Sequence, residues 1–211
     1  LRRGDPVGWT DWQQREHANA WPARLGELLG CEVVNHARIG SSMEWIARQT
    51  ITDVSDLLVK HQAEEIVALV QPSTYLRMQM HDPTQGGWTS FQMADAYGMD
   101  QHVHQWFNLH ETDASLATRW MMACIGMISY LKAQGVSCLL IDSAHNPMVK
   151  MLDDPLLAAV SRAYRTVSDD LWHPRSMEDA AAGIELRYCP DLHWTREVHA
   201  ALATDIADTL E

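Results

Sequence analysis

The chain has 211 residues, of which 46% are hydrophobic and 21% are charged, and it carries a formal net charge of −12 at pH 7. This length and composition predict a globular protein with a single domain over residues 1–211. The acidic balance excludes nucleic acid and anionic membrane surfaces from the expected partners, because both would repel the protein.

Helices and strands alternate along most of the sequence. Apolar residues spaced three and four apart predict the helices, and Pro22 and Gly30 mark the start and the stop of the first one. Short continuous apolar runs predict the strands. In chain order, the prediction is a helix at 21–30, a strand at 31–35, a helix at 42–60, a strand at 66–70, a helix at 114–134, a strand at 137–141, a helix at 154–171, a strand at 184–188 and a helix at 195–210. This alternation is typical of an α/β protein with a parallel sheet covered on both faces.

The stretch at about 72–113 does not follow this rhythm. It contains Gly86 and Gly87, several histidines, and aromatic residues without clear periodicity. We interpret it as an irregular excursion over the strand ends, which forms a lid or an interaction surface.

A glycine turn follows the first predicted strand. Gly40 lets the backbone turn tightly and approach a ligand, and the amides at the start of the next helix can bind an oxyanion. Ser41, with Glu44 three residues later, has the pattern of a capping box, which gives this serine a structural role. An alternative that stays open makes Ser41 or Ser42 a nucleophile at a strand-to-helix turn.

Polar residues also follow the second and third predicted strands, where parallel sheets bind their ligands. Ser73 and Thr74 can donate hydrogen bonds into such a crevice, and turn chemistry around the neighbouring proline explains them equally well. Asp142 and His145 are secondary site candidates after the third strand.

Near the C-terminus, Asp191 stands two residues before His193, in a segment that leads into the terminal helix. A carboxylate beside an imidazole holds one tautomer and stabilises the imidazolium that forms during proton transfer. This pair predicts the basic half of a nucleophilic hydrolase. The alternative is a helix start with an ordinary loop histidine.

The sequence predicts neither a metal nor a cofactor. His102 and His104 have a spacing that some metal sites use, but no cysteine cluster or metal-binding helix motif accompanies them. The four cysteines are far apart, which predicts buried thiols in a reducing compartment. With no membrane-length apolar run and no visible secretion segment, we expect a cytoplasmic or virion-associated protein.

Taken in order, these features resemble the SGNH (GDSL-type) hydrolases, in a variant found among phage-encoded members. The segment 35–42 looks like the second conserved block of that family, with Gly40 at its oxyanion glycine, and Asp191 and His193 look like the last block. The likeness covers about the first 75 and the last 30 residues. It implies a flavodoxin-like three-layer sandwich and a serine hydrolase that acts on esters.

Three departures from the family pattern leave alternatives open. The spacing from Asp191 to His193 is one residue short, the oxyanion asparagine is missing at 71–74, and Pro6 stands where the Gly-Asp-Ser serine is expected. Either a first strand with the nucleophilic serine lies upstream of Leu1, which we favour, or the protein is a non-catalytic member.

The leading hypothesis is therefore an esterase or acetyl-ester hydrolase with a Ser-His-Asp arrangement, acting on a small-molecule or carbohydrate ester. His193 is the general base, Asp191 orients it, and Gly40, Ser41, Ser42, Ser73 and Thr74 bind the oxyanion or the substrate. The rival hypothesis is an inactive binding or structural module on the same fold, such as a phage virion component. A homo-oligomer or a virion protein is the expected macromolecular partner.

Overall fold

The computed structural model describes residues 20–38, 40–82, 87–92, 111–142, 151–185 and 194–210, with the backbone alone for 80–82 and 87–92. Within these residues the protein is mixed α/β and mostly helical, with one two-stranded parallel sheet and one two-stranded antiparallel sheet. The predicted α/β class is therefore confirmed, in the sense that the described residues form both helices and a parallel sheet. The flavodoxin-like three-layer sandwich stays a prediction.

Six helices and four strands are named here among the described residues. They are α1 (Trp21–Leu29), α2 (Met43–Leu58), β1 (Val67–Val70), β2 (Arg77–Asp82), β3 (Gly87–Gln92), α3 (Asp113–Gln134), β4 (Ser137–Leu140), α4 (Ala158–Ser168), α5 (Met177–Ala180) and α6 (Arg196–Leu210). Short 3₁₀ helices precede β1 at Ala63–Glu65 and α4 at Pro155–Leu157. All five predicted helices and the strands predicted at 66–70 and 137–141 are confirmed; α5 was not predicted.

The chain divides into two compact units. The central unit comprises residues 37–140 and 146–172, and the terminal unit comprises residues 1–36, 141–145 and 173–211. The prediction of a single domain over residues 1–211 stays a prediction.

The long helix α3 forms the middle of the central unit. It packs against α2, α4 and β4, and its inward face is completely or almost completely buried: Leu116, Ala117, Trp120, Met121, Cys124, Met127, Ile128 and Leu131. β1 pairs with β4 in parallel, from Val67 opposite Ser137 to Val70 opposite Leu140. The core of this unit therefore lies between one central helix and its neighbours.

An antiparallel hairpin occupies part of the stretch that was predicted to be an irregular excursion. β2 pairs with β3 in register from Arg77 opposite Gln92 to Asp82 opposite Gly87. The guanidinium of Arg48 in α2 donates to Oε1 of the buried Gln79 at 2.7 Å, which ties the hairpin to the helix. The prediction of irregular structure is therefore wrong for these two strands.

The strand predicted at 31–35 does not form. Cys31 is exposed, which also corrects the prediction that this thiol is buried. The segment folds back on α1 instead: a Cβ added to Gly26 would lie 2.4 Å from Cγ2 of Val33. Of the strand predicted at 184–188, the first two residues are not in a strand and the others lie outside the described residues.

In the terminal unit, α6 packs against α1 and α5. Val198, Leu202 and Ile206 are fully buried on the inward face of α6, at the spacing that predicted the helix. No helix in the part of the chain that the structure describes has both the length and the apolar character needed to cross a membrane.

Candidate functional site

The glycine turn of the central unit has the backbone geometry that the sequence predicted. Gly40 has φ 78, a left-handed conformation that favours glycine. Its backbone N–H forms no hydrogen bond within the described part of the chain, and the residue is partly exposed. The helix α2 begins three residues later, so the turn presents close to a helix N-terminus an amide that no described residue accepts.

Ser42 is the N-cap of α2, since its hydroxyl accepts a hydrogen bond from the amide of Trp45 at 3.4 Å. Ser41 is not the cap; its hydroxyl donates to the carbonyl of Arg38 at 2.8 Å. The capping box predicted for Ser41 and Glu44 is therefore wrong by one residue. Both serines are shielded from solvent, at 5% and 0% exposure. Both side chains help to build the turn, and the alternative that makes one of these serines a nucleophile stays a prediction.

The first turn of α2 provides further amides for an anion. The N–H groups of the first residues of a helix lack intrahelical acceptors, and the helix dipole favours negative charge beside them. Glu44 lies in this first turn, and its Oε2 is buried without a hydrogen-bond partner among the described residues.

The loop after β1 carries Ser73 and Thr74, both partly exposed and both in the central unit. Oγ1 of Thr74 accepts a hydrogen bond from the amide of Leu76 at 3.3 Å. The hydroxyl of Ser73 lies 3.4 Å from the carbonyl of Thr74, a long and weak hydrogen bond. The turn chemistry expected around Pro72 is present, and the proton of Thr74 still has no acceptor among the described residues.

Sequence reasoning missed the residue that holds this loop. The indole of Trp120 in α3 donates to the carbonyl of Ser73 at 2.6 Å. Its position in the apolar pattern of the helix predicted at 114–134 is equally typical of a residue that only packs in the core. A buried tryptophan usually finds an acceptor for its N–H, which is the signal that points to such a bond but cannot identify the acceptor.

The predicted base and its orienting acid lie outside the described residues, as do His145 and the histidines at 102 and 104. Asp142 is described: in the terminal unit its carbonyl accepts a hydrogen bond from the amide of Met177 at 2.9 Å. Among the described residues, no group of three or more histidine, cysteine or acidic side chains is arranged to hold a metal ion.

A polar cluster in the terminal unit was also not predicted. The buried ring of His173 is 2.7 Å from the carbonyl of Arg175 through Nδ1 and 3.2 Å from Oγ1 of Thr209 through Nε2. Arg175 donates to Asp205 at 2.8 Å and to the carbonyl of Asp179 at 2.9 Å. These bonds join the segment before α5 to α6, which is a structural role.

The buried thiol of Cys124 and the partly buried thiol of Cys138 are protonated structural groups. Burial raises the pKa of Cys138 to about 12 and raises that of Cys124 well above its ordinary value. A nucleophilic cysteine needs a lowered pKa and access to solvent. Neither thiol therefore competes with a serine as the reactive group of the site.

Comparison of the chain with protein-family models, with curated proteins and with solved structures found no match.

Proposed function

We propose that the protein is an SGNH-like serine ester hydrolase, an esterase or acetyl-ester hydrolase, on a flavodoxin-like three-layer sandwich. The observation that carries this proposal is the turn at Gly40, where a glycine in a left-handed conformation offers, beside a capped helix, an amide with no acceptor in the described part of the chain. Amides in this arrangement stabilise the negative charge that develops on a carbonyl oxygen during acyl transfer.

In this proposal the Gly40 amide and the Thr74 hydroxyl bind the oxyanion, and Ser73 contributes to substrate binding. His193 takes the proton of the nucleophile and Asp191 orients the imidazole. Ser41 and Ser42 shape the turn through their hydrogen bonds. The substrate is a small-molecule or carbohydrate ester.

Turnover of p-nitrophenyl acetate tests the base. A positioned general base contributes about a hundred- to ten-thousand-fold in rate, so His193→Ala should lose that factor. His61→Ala is the matched control, because His61 is exposed and its Nδ1 lies 4.0 Å from Oε2 of Glu65, outside the proposed site. Equal turnover in the two variants would contradict the assignment of His193.

A fluorophosphonate probe tests the nucleophile directly. The probe reacts with an activated serine, and mass spectrometry of the labelled peptide then identifies which serine it is. Labelling of Ser41 or Ser42 would contradict the structural roles that their buried hydrogen bonds assign to them.

The second candidate function is an inactive binding or structural module, such as a phage virion component. One observation favours it: the hydroxyls of both serines of the glycine turn take part in local hydrogen bonds. A folded protein that stays unlabelled by the probe and hydrolyses no ester is the expected result for this alternative.

A further inference from the structure

Trp120 bonds to the loop after β1 from inside the core. Its Nε1–H donates to the carbonyl of Ser73 at 2.6 Å, and the two residues are 47 positions apart in the sequence. The side chain is 1% exposed and lies within the long helix α3. A hydrogen bond in such a poorly solvated place meets little competition from water, so it restrains the loop strongly.

Tyr164 packs against the indole of Trp120. The two rings meet edge to face, with centroids 5.4 Å apart and an interplanar angle of 65°. Tyr164 is also buried, and burial raises the pKa of its phenol, which keeps the phenol protonated. The indole is therefore packed in one orientation, with its N–H directed at the loop.

The loop carries a hydrogen-bond donor for which no described residue is the acceptor. A threonine hydroxyl has one proton and can accept as well. Oγ1 of Thr74 accepts from the amide of Leu76 at 3.3 Å, and its proton has no acceptor among the described residues. Since Thr74 is partly exposed, this proton is available to a ligand.

We infer that Trp120 is a positioning residue, which holds the Ser73–Thr74 loop so that the Thr74 hydroxyl donates to the carbonyl oxygen of a carboxylic ester. The assignment of that ligand rests on the proposed function. The restraint of the loop rests on the hydrogen bond and the ring packing alone.

Trp120→Phe tests the inference, with Tyr164→Phe as its matched control. The first substitution removes the indole donor and keeps an aromatic ring; the second alters the same buried pair without touching the loop. Loss of one well-placed hydrogen bond should lower kcat about tenfold in Trp120→Phe. KM should change little, because an oxyanion contact is stronger in the transition state than with bound ester.

A double-mutant cycle separates positioning from general damage. If Trp120 acts through the Thr74 hydroxyl, Trp120→Phe should have no further effect on kcat in a Thr74→Val background, whereas Thr74→Ser should retain most of the activity. An equal loss of kcat from Trp120→Phe in both backgrounds would overturn the inference, as would an equal loss in Tyr164→Phe.

Amide exchange gives a second readout that needs no turnover. Exchange of the Leu76 amide, which is bonded to Thr74, should rise about tenfold in Trp120→Phe and stay unchanged in Tyr164→Phe. Unchanged exchange in Trp120→Phe would overturn the inference. A wild-type chain without esterase activity would remove the proposed function instead, and the exchange experiment would still decide whether Trp120 holds the loop.

Discussion

Alanine at Gly135, directly after α3, is expected to destabilise the protein. Gly135 has φ 74, and its N–H donates to the carbonyls of Leu131 and Lys132. The next amide, of Val136, donates to Leu131 at 3.0 Å, which completes a Schellman motif. An added Cβ would lie 3.7 Å from Cβ of Ala63, an ordinary contact. The cost is therefore that of a left-handed alanine, about 1–2 kcal/mol.

The same substitution at Gly126, inside α3, is expected to stabilise the protein. Gly126 is exposed, and an added Cβ would meet no atom within 4 Å. Replacing glycine by alanine in a helix interior gains about 1 kcal/mol, in part because the unfolded chain loses freedom. Because the added methyl group is not buried, the preference of alanine for helical backbone alone makes the free energy of unfolding rise.

Urea and thermal unfolding, followed by far-UV circular dichroism, measure both effects. The free energies of unfolding of the two variants should differ by about 2–3 kcal/mol, which corresponds to roughly 4–12 °C in Tm for a chain of this length. The double variant should show the sum of the two changes, because the sites are about 13 Å apart along the helix. A Gly135→Ala variant as stable as Gly126→Ala would refute the argument from backbone conformation.

Two further predictions concern other parts of the chain. Iodoacetamide at about pH 8 should modify the exposed Cys31 and spare Cys138 in the folded protein, because burial raises the pKa of Cys138 to about 12; peptide mass spectrometry gives the extent of each reaction. Arg119→Met should cost about 2 kcal/mol and Glu111→Gln about 1 kcal/mol in urea unfolding. The first substitution removes the guanidinium 2.7 Å from the carboxylate of Glu111, which is 3% exposed and keeps the hydrogen bond from the Ser115 hydroxyl at 2.7 Å. The second leaves Arg119, which is 47% exposed, hydrated by solvent. Equal losses would contradict this asymmetry.

Some features of the candidate site could be read from residue types alone. A glycine between a polar segment and a helical pattern predicted the tight turn at Gly40, and the structure shows the left-handed conformation there. The identity of the N-cap was missed by one position, because Ser41 and Ser42 have equal intrinsic preference for capping. The burial of both hydroxyls depends on neighbouring elements, so no local pattern predicts it.

The hairpin β2–β3 had a signal that was not used. Met78 and Met80 alternate with polar residues in β2, and the sequence has the glycine pair Gly86-Gly87 where β3 begins, which is the sequence pattern of a half-buried hairpin. The segment 31–35 is the opposite case, because the strand signal was present in the sequence and no strand formed. Its apolar residues fit a strand, but a strand needs a partner, and Val33 packs against Gly26 of α1 instead.

By itself the sequence determined the helices and the turn at Gly40, because spacing of apolar residues, caps and glycine conformation act within a few residues of the chain. Only the tertiary structure decided which apolar runs became strands and which side chain holds the loop after β1. Strand pairing and the bond from Trp120 to Ser73 join positions far apart in the chain, and their free energy depends on packing that no local pattern contains.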